Sequence, residues 1–272
     1  MLLLKSLNSV VFASVVLFCT TSSAADEPAA EVPESVVDSV IPVVTERWDR
    51  VLCIVEQKKE GENTRTDAGS AFIVNEGDAY YLVTASHVAK FTSLSSRLMF
   101  RNLEGGGVWV TLGGLRLGEG DPWTYHPQAD LAVMPIRIDV PEVKMRENLK
   151  AVAHPLDSLA DVIPRRATEI EITGFPMMLG LGPELSPLVM VSRVASRESK
   201  MDAAWGKESI VFAFPVVTGG TSGGPVYARN EDPAAVTVLG MTIGYQADKA
   251  GPQLAKLIPS TVIRQWICEQ TQ

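Results

Sequence analysis

Three short segments of the chain carry residue types that do chemistry when they meet. Leu82 to Val88 (LVTASHV) reads as a strand ending in a small-residue turn that presents His87. Pro127 to Val133 (PQADLAV) places Asp130 at the opening of an apolar strand. Thr218 to Pro225 (TGGTSGGP) is a glycine-packed turn around Ser222. Each alone has a bland reading. A strand-end histidine is usually a satisfied polar residue, an aspartate at a strand start is usually a cap, and a glycine-rich turn is usually only a turn. So many glycines around one serine still imply backbone that approaches something closely or adopts positive φ. Together the three residue types are the parts of a nucleophilic site. A serine hydroxyl is a poor nucleophile at neutral pH, and a neighbouring imidazole takes its proton as it attacks and later protonates the leaving group. A buried carboxylate holds the imidazole tautomer and stabilises the imidazolium. The chain has only three histidines. The other two, His126 and His154, each precede a proline without the strand-TAS flank and read as structural or exposed.

The elements that must position these residues are short and β-rich. Candidate strands are Val51–Glu56, Ser70–Asn75, Tyr80–Thr84, Leu98–Arg101, Val108–Leu112 and Leu131–Ile138, separated by Gly, Asn, Asp and Pro. A loop-rich section follows, from Asp139 to about Arg166. A second series runs Glu169–Gly174, Leu188–Val194, Ile210–Phe214, Pro225–Ala228 and Val236–Ile243. The chain closes on an amphipathic helix from Ser260 to Glu269. Ser260 is its expected N-cap, and Val262, Ile263, Trp266 and Ile267 are expected to face the core. Two sets of about six strands predict two packed six-stranded antiparallel β-barrels with a C-terminal helix, an all-β fold.

Composition bounds the function. The chain has 272 residues, 46% hydrophobic and 21% charged, with a formal charge of −8. An acidic chain of this kind is a poor nucleic-acid binder, because phosphate neutralisation needs a basic face. Three cysteines and three histidines in no CxxC, HExxH or clustered pattern predict no metal site, and no cofactor is expected. Residues 1–25 read as a signal peptide: Lys5 precedes the apolar run Val10–Cys19, and small residues at Ser22/Ala24 and Ser23/Ala25 suit cleavage. The apolar run is shorter than the roughly 20 residues of a membrane span, so membrane contact is expected only through this signal. The product is expected to be exported, periplasmic or extracellular. Residues 26–46 read as a leader, with a short helix near Glu34–Val44. The folded domain is then 47–272: an N-terminal barrel at about 47–140, a C-terminal barrel at about 165–258 and a helix at 259–270. In an oxidising space Cys53 and Cys268 could form one disulfide, or remain two buried thiols.

The order His87, Asp130, Ser222 and the flanks TASHV, DLAVM and GTSGGP resemble the chymotrypsin/trypsin superfamily of serine proteases. The resemblance runs from about Arg50 to Glu269 and is similar in flavour to the bacterial HtrA or glutamyl-endopeptidase branches, without a PDZ domain. It implies a serine endopeptidase with a polypeptide substrate. By this resemblance Ser222 is the nucleophile, His87 the general acid/base and Asp130 the orienting carboxylate, with the N–H groups of Gly220 and Ser222 as the oxyanion hole. Thr221 stands where digestive proteases carry an Asp, so the zymogen ion pair of that group is not expected. By the same correspondence Val216 floors the primary pocket, and Thr242 and Gly244 lie near its rim. Val216 implies an apolar or small side chain at the scissile residue, while Thr218 and Thr242 leave acidic recognition open. The alternative is a noncatalytic member of the fold that binds peptides.

Overall fold

The structure is a computed structural model and describes residues 46–61, 63–215, 219–247 and 253–271. The expected signal at 1–25, nearly all of the expected leader and the expected pocket residue Val216 lie outside the described residues.

The first half of the fold comprises β1 (Leu52–Glu60), β2 (Asn63–Glu76), β3 (Ala79–Thr84), α1 (Ser86–Ala89), β4 (Arg97–Arg101), β5 (Gly107–Thr111), α2 (Leu112–Leu115), β6 (Thr124–Tyr125), β7 (Ala132–Ile136), α3 (Val143–Val152) and β8 (Ala153–Pro155). The second half comprises β9 (Glu169–Gly174), β10 (Leu188–Val194), β11 (Ser199–Ala203), β12 (Gly206–Phe214), β13 (Pro225–Ala228), β14 (Val238–Gln246), β15 (Leu254–Pro259) and α4 (Ser260–Gln270).

In the first sheet the strands run β5-β4-β1-β2-β3-β7-β6, with β8 added in parallel on β2. An isolated bridge between Arg116 and Ile136, and the bond from Arg137 N–H to Leu115 O, bring the chain after β5 against β7 and curl the sheet round. In the second sheet the order is β10-β9-β13-β14-β15-β12-β11, and β10 also pairs with β12. That extra pairing closes six strands into a barrel and leaves β11 as a hairpin arm on β12. The two-barrel fold is thus the one expected, with more strands than six in each sheet.

The additional elements have weak sequence signals. Helix α3 lies in the stretch expected to be loop. It is mostly polar and buries only Asn148, Leu149 and Val152, so it has almost no apolar stripe to read. Strand β8 is three residues long, and β11 carries Lys200 and Asp202 on its exposed face. The helix α4 begins as expected, but Ser260 is its first residue and not its cap. The cap is Pro259, and the Ser260 hydroxyl donates to Ala160 O at 2.7 Å. Ile263 and Ile267 are buried and Val262 and Trp266 pack beside them, as the amphipathic pattern requires.

One apolar core fills the first barrel and continues under α4; a smaller one, built on Ile170, Ile172, Val211, Val226 and Leu257, fills the second. Polar contacts then tie the halves together. His154 in β8 is fully buried, with Nδ1 at 3.0 Å from Ile73 O and Nε2 at 2.8 Å from the Tyr227 hydroxyl of β13. Arg47, 1% exposed, binds Glu171 of β9 at 2.8 Å and donates to the carbonyls of Asn230 and Asp232. Breaking a buried pair of this kind costs about 3–5 kcal/mol because it strands the remaining charge. The disulfide alternative is not formed: Cys53 and Cys268 are both free thiols. Cys53 points into the first-barrel core from β1, whereas Cys268 is half-buried on α4. Among the described residues no helix is long and apolar enough to cross a membrane.

Candidate active site

His87 sits in the single turn of α1, directly after β3. Ala85 keeps extended backbone, so the chain turns sharply from strand to helix. The turn packs tightly on β2: a Cβ at Gly69 would stand 2.6 Å from Val88 Cγ1. Ser86 fixes it laterally by donating its hydroxyl to Leu131 O at 2.8 Å, next to Asp130. The His87 side chain is 48% exposed and so open to a reactant.

Asp130 lies just before β7, and β7 pairs with β3 so that Thr84 faces Ala132. This register carries Asp130 to His87. One carboxylate oxygen, Oδ1, accepts the His87 main-chain N–H at 3.0 Å, and Oδ2 lies 2.6 Å from His87 Nδ1. A carboxylate only accepts, so the proton of a neutral imidazole resides on Nδ1 and Nε2 keeps a free lone pair. The Asp130 side chain is 9% exposed, which shields this contact from water.

Ser222 occupies the turn before β13, in the second barrel. Two glycines make the turn physically possible. Gly220 has φ +99°, and a Cβ there would stand 2.5 Å from Phe175 O. Gly223 has φ +87°, and its Cβ would stand 2.0 Å from Ser70 O. Met177 N–H donates to Gly219 O at 2.9 Å. A trans peptide points its N–H opposite to its C=O, so this bond turns the Gly220 N–H away from the 175–177 segment. Among the described residues neither Gly220 N–H nor Ser222 N–H has an acceptor. Backbone bonds tie the turn to β14: Gly223 N–H to Thr242 O at 2.7 Å and Thr242 N–H to Gly224 O at 3.0 Å.

His87 and Asp130 are therefore brought into direct contact. Among the described residues no hydrogen bond joins the Ser222 hydroxyl to His87. Thr242 is fully buried, its hydroxyl has no partner among the described residues, and its backbone anchors the serine turn. Gly244, at a β-bulge of β14 with φ +132°, has nothing within 4 Å of a Cβ and borders open space.

Two residues absent from the sequence reading hold the site across the barrels. Ser70 of β2 donates its N–H to Ser222 O at 2.8 Å and its hydroxyl to Gly220 O at 2.8 Å, and accepts Phe175 N–H at 3.1 Å. Glu208 of β12 accepts the Asp130 N–H at 2.7 Å. Burial, helped by the nearby Asp130 charge, raises the Glu208 carboxyl above its ordinary value, and the Asp130 N–H and the Lys256 ammonium offset this only in part. No local signal marks either residue, since each acts on a partner far along the chain.

Known proteins carry the same fold. The protease domain of MamO from Magnetospirillum magneticum, in its apo form, superposes with a TM-score of 0.53 at 15% identity, over 84% of this chain and 97% of that one. The HtrA-type protease AlgW, in a serine-to-alanine variant with a tripeptide, gives 0.52 at 17% identity, over 84% of this chain and 62% of that one. An inactive alanine variant of Rv3671c from M. tuberculosis H37Rv gives 0.50 at 16% identity, over 89% and 95%. No curated protein sequence matches. The trypsin-like peptidase domain matches residues 69–236, a span that contains His87, Asp130 and Ser222 and exceeds half of the chain. The chain belongs to the trypsin-like peptidase family, a serine endopeptidase of the chymotrypsin fold.

Proposed function

We propose that the protein is an exported endopeptidase that cleaves polypeptides through Ser222, His87 and Asp130. The observation that carries this reading is the double contact of Asp130 with His87, which supports Nε2 as the base. In the reaction Ser222 Oγ attacks the scissile carbonyl and gives its proton to His87 Nε2. The Asp130 carboxylate stabilises the imidazolium, and the N–H groups of Gly220 and Ser222 hold the developing oxyanion. His87 then protonates the leaving amine. A water, deprotonated by the same nitrogen, hydrolyses the acyl-enzyme. The Ser222–His87 hydrogen bond absent from the resting structure forms when substrate is bound, as such bonds often tighten only in the complex.

An apolar or small side chain is the proposed preference at the scissile residue. The supporting features are Val216 in the sequence and the open space beside Gly244. Export rests on the n-region Lys5, the apolar run and the small residues before position 26. A fluorophosphonate probe tests the activity. Labelling of the wild type that disappears in Ser222→Ala supports the enzyme. A well-folded wild type that is never labelled is instead a peptide-binding member of the fold.

A further inference from the structure

We infer that Glu208 is a positioning residue for the reaction: its side chain, carried by the second barrel, fixes the main chain of Asp130 so that both carboxylate oxygens face His87. The inference deepens the assignment of His87 and Asp130 proposed above and rests on it.

Glu208 lies in β12 and is 1% exposed. Its Oε1 accepts the Asp130 N–H at 2.7 Å, and its Oε2 lies 3.8 Å from Lys256 Nζ on β15. The acceptor is needed because of the shape of the chain at Asp130. Leu131 N–H bonds back to Ala129 O at 2.8 Å, so Asp130 is the centre of a three-residue turn. Its own N–H points out of that turn into the barrel interface, where water is excluded. Without Glu208 this donor would be buried and unpaired, and the turn would be free to rotate toward another acceptor. Rotation about Asp130 would carry Oδ1 and Oδ2 away from the His87 N–H and Nδ1.

A buried carboxylate beside a half-buried ammonium is a poor way to stabilise an interface, since an apolar pair of the same size often does better. What a carboxylate or amide supplies here, and an apolar residue does not, is the acceptor for Asp130. The contact also spans the two halves of the site. His87 and Asp130 belong to the first barrel, whereas Glu208, Lys256 and the Ser222 turn belong to the second. Glu208 thus sets the placement of the imidazole relative to the serine, where a misplacement of about 1 Å is worth on the order of 10²-fold in rate.

The test compares Glu208→Gln, which keeps size and acceptor, with Glu208→Met, which keeps size alone. The readouts are hydrolysis of p-nitrophenyl acetate and the proton NMR resonance of His87 Nδ1–H in the full chain. Glu208→Gln is expected to retain kcat within about threefold and to keep the resonance. Glu208→Met is expected to lose on the order of 10²-fold in kcat, with KM little changed, and to shift or broaden the resonance. The double variant Glu208→Met/Lys256→Met restores an apolar match without the acceptor, and serves if the single variant does not fold. A folded Met variant with wild-type kcat and an unmoved resonance overturns the inference. The resonance is also recorded in Ser222→Ala, which cannot react. If the wild type is not labelled by a fluorophosphonate but the resonance responds to Glu208, the catalytic reading fails and the positioning role stands.

Discussion

Asp130 grips His87 at two points, the main-chain N–H through Oδ1 and the ring Nδ1 through Oδ2. The first bond locks the carboxylate to the backbone of the turn, so the second can hold only one orientation of the ring. Asp130→Asn keeps the size but offers an N–H where the ring needs an acceptor. It therefore favours the tautomer with the proton on Nε2, which cannot take one from Ser222. The expected result is a drop of about 10⁴ in kcat, the size found for this change in chymotrypsin-type triads, with an unaltered fold. Single-turnover labelling by a fluorophosphonate measures it. A loss below about tenfold in a folded variant would show that the tautomer is set by something other than Asp130.

Ser70 links the barrels at the serine turn, as Glu208 does at the carboxylate. Its hydroxyl donates to Gly220 O and accepts from Phe175 N–H, and so joins the two segments that orient the Gly220 peptide. Ser70→Ala removes both bonds and leaves Phe175 N–H and Gly220 O buried with fewer partners. Each such loss costs about 1–3 kcal/mol. The proposed oxyanion donor then loses its fixed direction, and kcat is expected to fall on the order of 10- to 100-fold while KM changes little. Equal losses of labelling in Ser70→Ala and in an unrelated core variant of the same stability would show that only stability was affected.

The chemistry of this site is legible in the sequence where it is local. The strand bounds of β9, β10 and β13 match those read from the sequence, because turn residues bracket each run. The histidine, aspartate and serine flanks are likewise short motifs. Helix α3 was not legible, because residues such as Lys144, Glu147 and Lys150 lie in solvent and its buried side is narrow. Ser70 and Glu208 were not legible for a different reason. Their partners lie 150 and 78 residues away, and a serine or glutamate in a strand looks the same whether it faces solvent or a distant turn.

Cys53 and Cys268 differ in accessibility. Burial pushes the Cys53 thiol up to about 12, so no appreciable thiolate forms at neutral pH, and the side chain is sealed in the core. Cys268 is partly open on α4. Alkylation of the native protein with iodoacetamide at pH 8 is expected to modify Cys268 and to spare Cys53 until the chain is denatured. Peptide mapping reads both sites. Early modification of Cys53 would mean that the first barrel opens below its global unfolding.

Acid stability turns on His154. The ring is fully buried between Ile73 O and the Tyr227 hydroxyl, and Arg50 stands near it. Nδ1–H donates to the carbonyl, so Nε2 accepts from Tyr227, an arrangement open only to the neutral ring. Loss of hydration, with the nearby Arg50 charge, lowers its pKa from the ordinary 6.5 to about 3. The unfolded chain takes up this proton as the pH falls below 6.5, whereas the folded chain refuses it until about 3. The stabilisation is therefore fully present above 6.5 and is lost progressively between 6.5 and about 3, at about 1.4 kcal/mol per pH unit. His154→Gln removes the titrating group and leaves every acidic residue in place. Urea unfolding of both proteins between pH 7 and pH 4.5 should then give a shallower pH slope in the variant, by about 1.4 kcal/mol per unit, although the variant is the less stable at pH 7. Parallel slopes would mean that His154 is protonated in the fold and that its bond to Tyr227 runs the other way.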